Sequence, residues 1–199
     1  MKIELLKRAC ALLGLLMVPS CLNIAPDPPP PTRWLSLMSE PSRPGTSQTG
    51  VTTPEPKVTS IRIGAVTASD AITDELISRV SEVELSYDTF SRWAEPPAAV
   101  VKRALEDELF QRQGFVYDNG AERRLDVEVI AFEQHLEPRR QGHVAMVARL
   151  VDGEGQALFN RRFSASAPVE GDDPALVAVA LNSGIRRVVR EIGELMALK

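Results

Sequence analysis

The sequence predicts an α+β domain, a mostly antiparallel sheet with two amphipathic helices packed on one of its faces. Three observations carry this. Strand-like alternation of apolar and polar residues recurs from Val58 onward. Only two segments show helical periodicity, and they do not alternate regularly with the strands, which disfavours a doubly wound parallel sheet. A turn signal, Asp152-Gly153-Glu154-Gly155, joins two strand patterns directly, as an antiparallel hairpin requires.

The elements follow in order. Trp34, Leu35 and Leu37 mark a first short strand, and Ile61, Ile63 and Val66 a second that ends near Ala68. Ile77 and Val80 lead into Val83, Leu85 and Tyr87 as one further alternating strand, with Glu82, Glu84 and Ser86 on its other face. Glu95-Pro96-Pro97 opens a helix, because proline suits the first helical turn. Val101, Leu105 and Leu109 then recur every four residues until Gly114 stops the run. Leu125, Val127, Val129 and Ala131 alternate with Asp126, Glu128, Ile130 and Phe132, a strand with both faces partly covered near its end. His143–Val151 and Leu158–Phe163 complete a three-strand meander. Asp172-Asp173-Pro174 supplies a capping carboxylate and a first-turn proline. The stripe Val177, Leu181, Ile185, Val188, Ile192 and Leu195 is the clearest amphipathic helix in the chain.

Composition narrows the function classes. The chain has 199 residues, 44% hydrophobic and 25% charged, which fits one globular domain. Lys plus Arg is 23 against 27 Asp plus Glu, a net charge of −4, so there is no basic excess to neutralise nucleic-acid phosphates. Two cysteines cannot build a disulfide scaffold or a four-Cys zinc site, and two histidines leave little material for a His-based one.

The N-terminus reads as an address. Lys2, Lys7 and Arg8 precede the uncharged run Ala9–Val18, which as a helix would span only about 15 Å, half of a bilayer's hydrocarbon core. A basic start, a short apolar run and a small residue at its end describe a secretory signal peptide over residues 1–20. The run closes Val18-Pro19-Ser20-Cys21, which resembles the lipobox of bacterial lipoproteins. That resemblance implies cleavage between Ser20 and Cys21 and acylation of Cys21. The competing reading, an ordinary signal with a free thiol at Cys21, leaves an unpaired reactive cysteine on a secreted protein. Two or three acyl chains on one cysteine would hold the chain firmly, since each buried CH₂ contributes about 0.8 kcal/mol. Leu22, rather than Asp, follows the cysteine, and the sorting rule of enteric lipoproteins then implies the outer membrane, periplasmic face.

Residues 21–31, CLNIAPDPPPP, form a Pro-rich stalk. Fixed φ and missing N–H groups favour polyproline II, which extends about 30 Å over this length. A ligand for an SH3-type domain is the other use of such a run and belongs to the cytoplasm. Residues 40–57, rich in Pro, Thr, Ser and Gly, read as a flexible loop. The folded domain is 32–199.

The segment Ser86-Tyr87-Asp88-Thr89-Phe90-Ser91-Arg92-Trp93-Ala94-Glu95-Pro96, a strand ending in Tyr and then Arg-Trp-Ala-Glu-Pro opening a helix, resembles the ABC-type transport auxiliary lipoproteins, the Pqi-type (paraquat-inducible) family. Trp34-Leu35-Ser36-Leu37, Ile61-Arg62-Ile63-Gly64, Asp74–Arg79, Leu125–Val129 with Phe132-Glu133, and Asp152-Gly153 match it in the same order. The resemblance implies a non-catalytic lipoprotein that accompanies an MCE-type ABC system moving lipids or other hydrophobic molecules across the periplasm. Its implied partners are an MCE-domain periplasmic protein and, through it, the ABC permease and ATPase, with the membrane reached through the lipid anchor. Two other readings are a free-standing lipoprotein that binds a hydrophobic ligand and an envelope-structural lipoprotein.

No catalytic constellation stands out, no cofactor is implied, and no Gly-rich phosphate loop is present. His135 and His143 with Glu133 and Glu137 could be imagined as a metal site. The simpler expectation is that Glu133-Gln134-His135 leaves a strand into a solvated loop, and that no metal binds. Glu106, Asp107 and Glu108 read as a solvated helix face. Tyr87, Arg92 and Trp93 are the informative residues. Arg and Trp favour binding hot spots, yet Trp93 could instead plug the strand–helix corner with Arg92 paired to Glu95 or Asp88, and this structural role is the preferred reading.

Overall fold

The computed structural model describes residues 28–37 and 59–198. The chain divides into two units, Met1–Pro30 and Pro31–Lys199. The proposed signal peptide, Ser20, Cys21, most of the stalk and the 40–57 loop lie outside the described residues. No helix among the described residues is long and apolar enough to cross a membrane.

The second unit is an α+β fold, as its sequence predicts. Eight strands form one mixed sheet: β1 (Arg33–Leu35), β2 (Ser60–Ala68), β3 (Glu75–Arg79), β4 (Leu85–Trp93), β5 (Val116–Tyr117), β6 (Arg123–His135), β7 (Gln141–Val151) and β8 (Ala157–Pro168). Most of the paired length is antiparallel, in β3–β4, β6–β7 and β7–β8. The pairs β1–β4, β2–β5, β2–β6 and β3–β6 are parallel. The long strand β6 organises the sheet. One edge carries β7, and the other carries β2 and then β3, end to end and both parallel to it.

Two helices cover one face. α1 (Pro97–Glu106) begins at a proline and buries Val100, Val101, Ala104 and Leu105. α2 (Pro174–Ala197) buries the predicted stripe, with Leu195 partly covered, and lies over β7 and β8. Asp173 caps α2 through Ala175 N–H at 2.9 Å, and Pro174 occupies its first turn. Close approach of α2 to the sheet depends on glycine. A Cβ at Gly142 would lie 2.9 Å from both Ala180 Cβ and Leu181 N, and one at Gly184 would lie 3.1 Å from Val144 Cγ2. The layer between is filled by Leu105, Leu125, Val129, Phe132, Met146, Leu150, Leu181, Ile185 and Ile192, all without solvent exposure.

Several local expectations are corrected. The alternation from Ile77 to Tyr87 is a hairpin of two strands, because Val83 is the exposed tip of a turn closed by Val80 N–H to Glu84 O at 3.0 Å. The second of those strands does not end at Tyr87 but runs on to Trp93, held there by β1 in parallel register. A two-residue strand, β5, follows Gly114, whose φ of +76° turns the chain out of the helix. α1 widens into a π-helical turn, Asp107–Arg112, which turns Glu108 inward. Glu108 is therefore buried rather than solvated, and accepts a hydrogen bond from Gln113 Nε2 at 3.0 Å.

Candidate functional site

The three residues singled out by the sequence meet one short segment, Ala71–Glu75. Tyr87, part-exposed on β4, donates its hydroxyl to Ala71 O at 3.2 Å. Arg92 donates to Asp74 Oδ2 at 2.7 Å and to Glu75 Oε1 at 3.1 Å, rather than to Glu95 or Asp88. Glu95 pairs instead with Arg103, and Asp88 accepts from Phe90 N–H. The Trp93 main-chain N–H donates to Asp74 O at 2.6 Å, while its ring is 2% exposed and meets Phe132 edge-on at 5.2 Å between centroids. The indole Nε1 has no hydrogen-bond partner.

A second cluster lies on the sheet face away from the helices, where sequence reasoning expected solvated groups. β6 carries a bulge between Val129 and Ala131. The extra residue shifts the alternation by one, which sends Phe132 into the helix-side core and Glu133 and His135 to the open face. The strand also extends to His135 instead of breaking into a loop. There Glu133, only 5% exposed, accepts from Arg79 through both oxygens, at 2.5 Å from Nε and 3.0 Å from Nη2. His135 Nε2 shares Oε1 at 2.9 Å. The His135 and His143 rings stack with centroids 4.6 Å apart, and His143 Nδ1 lies 2.9 Å from Ser166 Oγ. The cross-strand register Glu133–His143–Ser166 across β6, β7 and β8 produces this row.

The electrostatics follow from burial and pairing. Burial alone would raise the Glu133 pKa, but hydrogen bonds from Arg79 and His135 outweigh it and hold the carboxyl below its ordinary value. The Arg79 guanidinium is correspondingly raised, chiefly by its hydrogen bonds to Glu133. Burial pushes the His143 imidazole down, and the neighbouring His135 adds to the effect. The row is not a nucleophile–base–acid relay. The serine meets one histidine, the carboxylate meets the other, and both carboxylate oxygens are already engaged by an arginine. Among the described residues no group of three or more His, Cys, Asp or Glu could hold a metal ion.

Three of the surface clefts among the described residues stand out. One of about 490 Å³ lies beside His135, lined by Arg79, Val80, Glu82 and Pro138. Another of about 390 Å³ lies between β1 and α2, lined by Trp34, Ala178 and Val179. The third, about 360 Å³, is polar and lies at Ser60, Asp118 and Arg123.

Comparison with known proteins agrees with the architecture. The family model described as the ABC-type transport auxiliary lipoprotein component matches residues 41–193. A Xanthomonas campestris protein of the DUF330 family has a crystal structure similar to this chain, with TM-score 0.65 and 17% identity over 84% of this chain and 93% of that one. An uncharacterised protein of known structure gives TM-score 0.59 and 17% identity over 69% and 92% of the two chains. A hypothetical protein from Chlamydia trachomatis gives 0.51 and 9% over 70% and 95%. At these identities the likeness shows the fold. No curated protein matches the sequence. The family match spans most of the chain, which therefore belongs to the ABC-type transport auxiliary lipoprotein family.

Proposed function

We propose that this auxiliary lipoprotein is a non-catalytic adaptor, anchored through acylated Cys21 in the outer membrane and facing the periplasm. In this reading it docks on the MCE-domain protein of an ABC system that moves lipids or other hydrophobic molecules, and so holds the far end of that assembly at the outer membrane. The observation that carries the reading is the family match over 41–193 downstream of a lipobox-like Val18-Pro19-Ser20-Cys21. Among the described residues the apolar side chains between helices and sheet pack on one another as a single core, which favours an adaptor over a carrier that keeps an apolar cavity there for its own lipid. The polar row on the open face has the order of a structural network, and the adaptor role asks no chemistry of it.

The experiment is fractionation of the native host expressing the full chain or its Cys21→Ala variant, with recovery of each in mild detergent. The unmodified sequence is expected in the outer-membrane fraction together with an MCE protein, and the variant in the soluble periplasm. A variant that stays membrane-bound defeats the anchor. Recovery of bound lipid without any transporter subunit would move the function to a free-standing hydrophobic-ligand lipoprotein.

A further inference from the structure

We propose that the free edge of β8 is a strand-addition site for an extended, acidic segment of a partner protein. Among the described residues β8 pairs only with β7, so one edge of a twelve-residue strand is open. Three observations fix which backbone groups that edge presents. Val169 N–H reaches inward, to Arg140 O at 3.0 Å. Ser166 O points the other way, where Arg187 Nη1 donates to it at 2.9 Å. Pro168, which has no N–H to offer, sits in the same phase as Ser166. Register from Asn160 to Pro168 is unbroken. Asn160, Arg162, Ser164 and Ser166 therefore direct their N–H and C=O groups away from β7; with Ser166 O taken by Arg187, the first three form an unpaired antiparallel template about three residue pairs long.

The charge of this edge selects the partner. The chain as a whole is acidic, yet β7 and β8 together carry Arg149, Arg161 and Arg162 and no Asp or Glu. Arg161 and Arg162 are exposed on β8, their side chains on opposite faces of the strand. No carboxylate among the described residues bonds either one, although Arg161 lies over the Phe163 ring at 5.6 Å. The exposed Arg187 of α2 already reaches the same edge. A strand added here would meet guanidinium groups on both of its faces, so carboxylates along it would be paired wherever they pointed. Pairing of β8 with a second copy in the register centred on Arg162 would set arginine beside arginine, which disfavours that register. Main-chain hydrogen bonds would supply affinity, and the arginines specificity. This inference does not depend on the lipid anchor or on the identity of the transporter.

The test uses the full chain in detergent and a ten-residue synthetic peptide that alternates Glu with Val and Thr, beside a counterpart with Lys in place of Glu. Amide hydrogen exchange is followed residue by residue. The Glu peptide is expected to slow exchange at Asn160, Arg162 and Ser164, and the Lys peptide to leave it unchanged. The charge-reversed pair Arg161→Glu with Arg162→Glu should weaken the Glu peptide by about tenfold or more. Ser164→Pro, which removes one outward N–H without touching the β7 ladder, should abolish the protection. The exposed charge reversals keep the test usable if the proline variant does not fold. Equal protection by both peptides, protection elsewhere but not on β8, or none at millimolar peptide would overturn the proposal. So would the outward amides of Asn160, Arg162 and Ser164 already protected in the free protein, which would mean that the edge is covered before any peptide is added.

Discussion

Replacing Trp93 separates packing from recognition at the motif that carries the family resemblance. The side chain is 2% exposed and rests edge-on against Phe132 in the helix-side core. A buried aromatic removes roughly 150–250 Å² from water, which at about 25 cal/mol/Å² amounts to roughly 4–6 kcal/mol for the whole ring system. Alanine keeps only a small part of that and loses an edge-to-face contact worth about 1 kcal/mol. The buried indole N–H has no partner, and removing it returns about 1–3 kcal/mol of desolvation. Trp93→Ala should therefore destabilise by about 3–5 kcal/mol, within the usual range for such truncations.

Trp93→Phe keeps most of the apolar contact and also removes the unbonded N–H, so its two effects nearly cancel, leaving about 1 kcal/mol or less. Urea unfolding followed by circular dichroism reads both values. For a domain of this size the alanine variant should lose roughly 10 °C in Tm, at about 2–4 °C per kcal/mol. An alanine variant that melts with the wild type but no longer recovers its partner would refute the packing argument and make Trp93 a docking residue.

The open-face row makes stability fall with acid in two stages. His143, depressed by burial, contributes stability present above its unfolded value near 6.5 and lost as pH falls toward its folded one. Glu133, depressed by Arg79 and His135 despite burial, contributes stability present above about 4.5 and lost as pH falls through its folded value. A pH series of urea midpoints should show both stages, and His143→Gln should flatten the first alone. Glu133→Gln should cost about 2 kcal/mol at neutral pH by leaving Arg79 without its charge partner, and should remove the second stage. Asp173→Ala should lower Tm by removing the α2 cap and the ion pair with Arg33 at 2.8 Å, whereas Asp173→Asn, which still caps, should recover most of the loss.

The sequence made the large elements legible where one periodicity ran unbroken. The α2 stripe, its Asp173-Pro174 start and the Asp152–Gly155 turn each have a local physical cause that tertiary contacts do not override. The misses occur where a single residue changes the phase. Val83 is apolar and sits in the alternation, yet only the β3–β4 pairing reveals it as a turn tip. The run Val129-Ile130-Ala131-Phe132 is apolar throughout and suits a strand covered on both faces, so it does not single out the bulge that exchanges the faces of Phe132 and Glu133. Glu108 looked solvated because three acids in a row suit an exposed helix, and only the π-helical turn brings it inward. The polar row was present as residue types, but its assembly depends on long-range register among three strands.

That bulge also gives a common origin to features that look separate in the sequence. Along one edge of β6, β2 ends at Ala68 opposite Val129, and β3 resumes pairing at Ser78 opposite Gln134. The break in β6 register falls inside this gap. Between the two strands the chain must leave the edge and return, and it begins by donating Ser69 N–H to Val129 O at 2.9 Å. Tyr87, Arg92 and Trp93 all fasten the segment that makes this crossing, and Trp93 rests on the Phe132 that the bulge has turned inward. A strand shared end to end by two parallel neighbours needs such a join, because neither neighbour alone continues the ladder across it. The Tyr–Arg spacing then follows from geometry: the Tyr87 side chain reaches the near end of the crossing and that of Arg92 its far end, where β3 begins, while Trp93 holds that end through its main-chain N–H and sets its ring on Phe132.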